Sequence, residues 1–470
     1  DFYYERNIPE MLSREGPKTT VGDINADSLQ DIYIGGTQNH PGQIYLQAIS
    51  GEFVKKEELS FNQFMDFEDG AVLFFDADQD GDLDLFVGPG GNNNPSYSRP
   101  MQNRLFKNDG KGNFSIDVEA FPAYGMNSGI AIAYDFNKDG YLDLFVGGRS
   151  VPKEYGSSPS SYLYVNDGNG HFTDIAKTKN PDIANVGMVT GAVWANVAGD
   201  STKELIITGE WMATHIFSFQ GDHFTEVKSN LNSLFGWWQT IAATDLDGDG
   251  DEDLIIGNVG ENFYLHPDST NPVKLWINDF NQNNTLDKVL TYTEQGKDLP
   301  VFLKREVTDQ FPILRKQNLK HAEYATKTIQ QLFSKEQIEK SIVKKFNFGS
   351  SIIAINNGQG NFTIQKLPSR VQLSSVNAIE CIDINKDNKP DLIMGGNMFG
   401  FPPQFGRLDA SYGHVLINHG NGKFEWVEPK MSGLKLSGEI KDIKEITGRD
   451  SRYILVVQND QFPALYEVKK

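Results

Sequence analysis

The sequence predicts an all-β protein, a β-propeller built from four-stranded blades, and three observations carry that prediction. One acidic stretch of nine residues recurs along the 470-residue chain, starting at 23, 76, 135, 245, 279 and 383, with degenerate copies at 196 and 442. Taken in order, these starts lie 53, 59, 61, 49, 34, 104 and 59 residues apart. A period of about 60 residues, with strands throughout, reads as propeller blades. Each copy also runs into an apolar, β-branched segment, and Asn-Gly or Asp-Gly turns follow between alternating runs, a strong hairpin signal. Eight blades are expected, or seven if the fifth and sixth units merge.

The second copy shows the chemistry. Asp76, Asp78, Asp80 and Asp84 occupy positions one, three, five and nine, and Gly81 follows where a tight loop needs positive φ. Carboxylates this close repel one another, so the pattern gains nothing in a solvated turn. A hard cation explains it, because calcium takes six to eight oxygens and a short turn delivers several. The remaining ligand sets are Asp23, Asn25, Asp27 and Asp31; Asp135, Asn137, Asp139 and Asp143; and Asp245, Asp247, Asp249 and Asp253. Asp383, Asn385, Asp387 and Asp391 form another, and Asp279, Asn281, Asn283 and Asp287 the weakest, with two carboxylates. About six Ca²⁺ sites are expected. An EF-hand needs a bidentate Glu at position twelve and flanking helices; here that position is Val87, Val146 or Ile256 inside a strand-like run. The copy at 196 has Ala198 at position three and the copy at 442 has Lys444 there, so neither holds a full set.

Composition limits the classes. The formal net charge is −20, which argues against a nucleic-acid partner. Hydrophobic residues make up 39% of the chain, with 31 Phe and 17 Tyr, enough for an ordered core. The single cysteine, Cys381, excludes an internal disulfide and lies in an apolar run, so it reads as an inert core residue. No apolar run of about 18 residues exists to span a membrane. No signal peptide is visible and the chain starts at Asp1, which suits a mature or trimmed form. Calcium loops favour a secreted or cell-surface protein, on the exterior of a bacterial outer membrane or in the periplasm.

The elements follow in order. The second unit has strands over 71–75, 83–87, 104–107 and 113–116, with a turn over 109–112. The third unit repeats the plan with strands over 162–165 and 171–173 around Asn166-Asp167-Gly168-Asn169-Gly170, and the seventh with strands over 415–418 and 424–427 around 419–422. The sixth unit takes strands over 274–278 and 289–293, then, after an insertion, 351–356 and 361–365. The chain is read as one domain, 1–470, with a mainly helical insertion over 295–348 within the sixth blade. Helix is expected over 322–333, and from the capping box Ser334-Lys-Glu-Gln337 to about residue 345. Between Lys304 and Lys345 there are 10 Lys/Arg against 5 Asp/Glu, which marks the insertion as a docking element for a cell-surface complex or as a flap on an acidic body. The last unit offers about three strands, and Phe2-Tyr3-Tyr4 is expected to supply the fourth and close the ring.

With these residues in hand, the chain resembles the FG-GAP/VCBS-type repeat family, which includes the integrin α head. It is closer still to the propeller part of bacterial secreted proteins similar to cartilage acidic protein. Arg14-Glu-Gly-Pro-Lys18, Val146-Gly-Gly-Arg149-Ser-Val-Pro152, Gly209-Glu-Trp-Met212, Gly236-Trp-Trp238 and Leu275-Trp-Ile-Asn-Asp279 carry the likeness. The resemblance implies calcium-dependent stability and a role in adhesion or ligand binding.

Function is then expected at the face opposite the acidic loops. The loops between second and third strands bring Arg149, Tyr155, Glu210, Trp211, Asn258, Asn397 and Arg407, with Trp237 and Trp238 nearby. Such a mixture suits a sugar or a peptide. The expectation is a non-enzymatic, calcium-stabilised module that recognises a glycan or protein ligand. The alternatives are a polysaccharide lyase or hydrolase on the same scaffold, and a structural subunit of a cell-surface complex. No catalytic acid–base pair, Ser-His-Asp order or Cys-His order stands out.

Overall fold

Asp69–Phe75, Asp84–Pro89, Arg104–Asn108 and Phe114–Asp117 form a four-stranded antiparallel meander in the computed structural model, which describes residues 1–199, 202–317, 320–420 and 422–469. Asn421, in the turn expected over 419–422, lies outside the described residues. The second strand explains its own sequence. Leu85, Phe86 and Val87 are all fully buried, because both faces of this strand are covered, so the run is continuously apolar rather than alternating. Each such side chain contributes about 1.5–3 kcal/mol by leaving water.

Most of the chain follows this plan. Four-stranded sheets also begin at Thr19–Gly22, Asn127–Tyr134, Thr240–Thr244 and Ala378–Ile382, and a five-stranded one begins at Met188–Ala195. A three-stranded sheet begins at Glu439–Thr447. The first strand of each of these seven sheets lies against the first strand of the next, and Glu439–Thr447 lies against Thr19–Gly22. The apolar clusters between successive sheets form the core, as where Phe121 stacks on Phe172 with centroids 4.7 Å apart.

An eighth sheet stands outside that succession. Val273–Asn278 pairs with Asp287–Glu294 and with Ile342–Phe346, and Lys297–Pro300 completes it. It is inserted between the second and third strands of the fifth sheet, because Ile352–Asn356 pairs with Asp253–Gly257 and Phe362–Lys366 follows. The reading that gave these last two strands to the sixth unit is therefore corrected. Order along the chain does not reveal which sheet a strand returns to after a long insertion; hydrogen bonding decides it.

Helix in the insertion is shorter than its periodicity suggests. The stretch 322–333 holds two single turns, His321–Tyr324 and Ile329–Leu332. The capping box at Ser334 and Gln337 forms, but its helix is only Lys335–Glu339. The β-branched pair Ile342 and Val343 then enters the eighth sheet, where cross-strand pairing outweighs local propensity.

The amino terminus does not complete the last sheet, which keeps three strands. Residues 1–18 instead run over the ends of the sheets away from the acidic loops. Ile8 and Leu12 join one apolar cluster with Trp211, Trp237, Phe263, Phe346 and the inserted sheet. Buried Glu5 pins the segment there, accepting from Lys288 Nζ at 2.7 Å and from the Tyr155 backbone N–H at 2.8 Å. A buried apolar seat outweighs an exposed edge for Ile8 and Leu12.

Candidate functional site

All six acidic loops share one backbone design. The position-one carboxylate accepts the N–H of position six: Ser28 to Asp23 at 2.8 Å, Gly81 to Asp76 at 3.2 Å, Gly140 to Asp135 at 2.9 Å. Gly250 to Asp245, Asn284 to Asp279 and Asn388 to Asp383 repeat it at 3.0, 2.8 and 2.8 Å. Position six is left-handed in every copy, from φ 63° at Asn284 to φ 97° at Gly250. Position four is left-handed too, at Ala26, Gln79, Lys138, Gly248, Gln282 and Lys386. Two such residues curl the loop, and the exposed side chain at position five accepts the N–H of position seven in every copy.

Position nine does different work. Asp31, Asp84, Asp143, Asp253 and Asp391 are buried. One oxygen of Asp84 accepts from the loop at Ala77 N, and the other from the third strand at Asn108 N, 3.1 and 2.8 Å away. Asp31, Asp253 and Asp391 repeat this double bond, with Ile24 and Gln47, Leu246 and Asn356, and Ile384 and Asn418. Burial, with neighbouring acids adding to it, pushes Asp84 and Asp143 up to about 7, and Asp31 and Asp253 up to about 6.

A cation fits the loops of the second and fifth sheets. Oxygens of Asp76, Asp78 and Asp84 lie within 4.8 Å of one another, as do those of Asp245, Asp247 and Asp253. Oxygens bound to one Ca²⁺ at about 2.3–2.6 Å fall within such a span. Asp76 Oδ1 and Asp78 Oδ1 are buried without a hydrogen-bond donor, the condition a metal ion relieves. The loop of the inserted sheet is arranged otherwise. Asn281 Nδ2 donates to Asp287 and to the Gln310 carbonyl, at 3.2 and 3.1 Å, so this side chain is held by its neighbours. In the last unit the Lys444 ammonium lies 3.6 Å from Asp442, a built-in cation in the degenerate frame.

Four asparagines, of which sequence reasoning placed Asn166 in a turn, Asn356 and Asn418 at strand ends and Asn108 in no element, each connect a loop to the next sheet. Asn108 Nδ2 donates to the Ile24 carbonyl at 2.8 Å, and Asn166 Nδ2 to that of Ala77 at 2.8 Å. Asn356 reaches Val197 at 3.2 Å and Asn418 reaches Leu246 at 2.9 Å. Each acceptor is position two of the loop in the preceding sheet. Each asparagine Oδ1 meanwhile caps its own hairpin, at Gly112, Gly168, Gly358 and Gly420. The sequence signal is an Asn two residues before the first Gly of each Gly-x-Gly turn.

The residues expected to bind a ligand are mostly interior. Arg149, Tyr155, Glu210, Trp211, Trp237, Trp238, Asn258 and Asn397 are all buried, and Arg407 alone is exposed. The N-terminal segment and the inserted sheet lie over them. Arg149 donates to Glu210 at 2.8 Å and bidentately to Glu15 at 3.1 Å. Trp211 Nε1 donates to Tyr155 Oη at 2.8 Å, and Trp237 Nε1 to Glu10 at 3.3 Å. Burial and the nearby Glu210 hold Glu10 well above the usual carboxylate range. Asn258 accepts from Trp237 N and donates to the Phe348 carbonyl, while Asn397 bonds Ser374, Ser411 and Gly438. Trp238 packs on Phe348, and Arg407 pairs with Asp409 over the Phe399 ring. A cavity of about 220 Å³ is lined by the N-terminal segment, including Gly16, and by residues at the starts of first strands, among them Gly70, Ser128, Gln239, Asn377 and Lys441.

One pair resembles a nucleophile and its base. Ser411 Oγ lies 3.2 Å from His414 Nε2, and both are buried. The Trp426 indole N–H, which can only donate, points at His414 Nδ1 at 3.1 Å. The imidazole proton is therefore on Nε2 and faces the serine, the wrong tautomer for a base that deprotonates it. Cys381 is equally quiet, its thiol pushed up to about 12 by burial.

Comparison with known proteins bears on the loops. The FG-GAP-like repeat matches residues 23–87, 135–207 and 196–256, each match starting at position one of a loop frame, and the FG-GAP repeat matches 237–276. No curated protein matches the chain. Among solved structures, the V. cholerae biofilm matrix protein Bap1 aligns with 99% of this chain and 89% of its own, at 10% identity and a TM-score of 0.39. The chain thus carries FG-GAP repeats over residues 23–87 and 135–276.

Proposed function

We propose that the chain is a calcium-stabilised, seven-bladed β-propeller that works outside the cell as a non-enzymatic binding or adhesion module. The orphaned inward oxygens of Asp76 and Asp78 carry the calcium part of the reading. Positions one, three, five and nine of the loops in the first, second, third, fifth and sixth ring sheets would hold the ion, and position nine also fixes the loop to its third strand. Bound Ca²⁺ supplies countercharge to carboxylates that otherwise repel. The succession of seven first strands, with the eighth sheet left outside it, supports seven blades.

The extracellular part rests on the FG-GAP repeats and on loops suited to calcium-rich compartments. Among the described residues no helix is long and apolar enough to cross a membrane. The His414 tautomer supports a non-enzymatic reading. The ligand is a glycan or a protein. Equilibrium dialysis with ⁴⁵Ca²⁺, paired with melting in calcium and in chelator, tests the proposal. Several bound ions and a melting point raised by several degrees are expected, since a ligand specific to the native state stabilises it. No bound calcium, or identical melts, overturns it.

A further inference from the structure

The inserted module carries chemistry unlike the rest of the molecule. The whole chain is at −20, yet Lys304 to Lys345 holds 10 Lys/Arg against 5 Asp/Glu. Part of this charge is neutralised locally, as Lys335 pairs with Glu339 at 3.6 Å and Lys340 with Glu336 at 2.7 Å. A cleft of about 390 Å³ on the same module is different. It is lined by Lys304, Arg305, Thr308, Asp309, Arg315 and His321. Its one acid, Asp309, is bonded to Arg315. Among the described residues, Lys304, Arg305 and His321 have no carboxylate partner.

Two exposed aliphatic residues adjoin these cations along the chain, outside the cleft's own lining. Leu303, next to Lys304, is 69% exposed, and Ile313, two residues before Arg315, is 66% exposed. Long cationic side chains beside exposed aliphatic ones match a sugar ring that carries an anionic group. Apart from Arg407, the ligand residues expected elsewhere are buried beneath the N-terminal segment and the inserted sheet, whereas the cleft's Arg305, Arg315 and His321 are exposed.

We propose that this cleft binds an acidic polysaccharide, with a carboxylate or sulfate group held among Lys304, Arg305 and Arg315 and the sugar's apolar face against Leu303 and Ile313. The volume suits a single sugar unit and its substituent rather than a broad groove. An acidic body around a small basic cleft disfavours a duplex nucleic acid, which needs an extended basic surface. The proposal rests on the reading of the chain as an extracellular binding module and names its ligand class.

The test uses the full chain in calcium and measures retention on immobilised polygalacturonate, chondroitin sulfate, neutral dextran and duplex DNA. The variants are Lys304→Glu/Arg305→Glu in the cleft and Lys335→Glu/Lys340→Glu on the same module outside it. The sites are solvent-facing, and unchanged melting establishes that both variants fold. Binding to the carboxylated or the sulfated glycan that falls about tenfold or more in the cleft variant, and stays within about twofold in the control, supports the proposal. The glycan that binds identifies the anionic group. Equal losses in both variants, DNA bound as tightly as glycan, or no retention of acidic glycan at about 50 mM salt would overturn it. Binding of dextran regardless of the cleft sinks the proposal and leaves the module reading intact. Depolymerisation of a cleft-bound glycan keeps the site and sinks the non-enzymatic reading.

Discussion

Asn166 donates its side-chain amide to the carbonyl of Ala77, 2.8 Å away in the acidic loop of the preceding sheet. The same amide reaches Leu142 at 3.1 Å, and its Oδ1 caps the hairpin at Gly168 N. One side chain thus ties a loop, its own sheet and a turn. Replacing Asn166 with Ala leaves buried carbonyls and a turn N–H without partners, which costs about 2–4 kcal/mol in all. Urea denaturation is expected to show that loss. Because Ala77 follows Asp76, Asn166→Ala is also expected to weaken calcium binding at the second loop, measurable by calorimetry.

Asp80 and Asp84 belong to one loop but have separable roles. Asp80 is exposed and its Oδ1 accepts from Asp82 N, so Asp80→Asn keeps the turn and removes a countercharge for the ion. Its melting point is expected to fall in calcium and to match the parent in chelator. Asp84→Asn presents an NH₂ to one of two N–H donors, Ala77 and Asn108. It is expected to lose about 1–3 kcal/mol with or without calcium. Paired melts of both variants separate the roles, and identical behaviour of the two contradicts them.

The repeat itself was plain in the sequence, since every copy spaces its acids alike and ends in a strand-like run. Gly81 and Gly140 advertise the left-handed residue at position six. At position four only Gly248 does so, while Gln79 and Lys138 adopt φ 61° and 62°; the loop's hydrogen bonds impose it on residues with no such preference. The asparagine links were not visible, because their partners lie 84 to 172 residues away. The return of Ile352–Asn356 to the fifth sheet was hidden by the insertion. The seat of the N-terminal segment was hidden as well. No local pattern tells Glu5 that Lys288 waits for it, nor Glu10 that Arg149 and Trp237 do.

Glu10 and Arg149 offer a contrast in buried charge. Burial and Glu210 keep Glu10 protonated above its ordinary value of 4.5. The folded state then holds a proton that the unfolded state releases, so this group's share of stability declines as pH rises from 4.5 through the raised value. Glu10→Gln mimics the neutral acid and is expected to cost under about 1 kcal/mol while flattening that decline. Arg149→Ala strands Glu210 in the interior, leaves the half-buried Glu15 unpaired, and is expected to cost about 3–5 kcal/mol. Denaturation curves of both variants across pH 5–8 (roughly the neutral working range) check the sign and the size.

His414 supplies the opposite pH dependence. Burial lowers its imidazole from 6.5 to about 4, while Trp426 and Ser411 hold the neutral ring in one tautomer. An unfolded chain protonates this histidine below 6.5, but the native state does not until about 4. Its contribution is fully present above 6.5 and drains away as pH falls through about 4, where the difference levels off. A shift of this size is worth about 3 kcal/mol. Acidic carboxylates titrate in the same range, so the informative quantity is the stability difference between the parent and His414→Gln, which lacks a titrating ring. That difference is expected to shrink steadily on acidification from 6.5 to about 4. A ring resonance that titrates near 6.5 in the folded protein contradicts the buried neutral tautomer and, with it, the argument that Ser411 has no base.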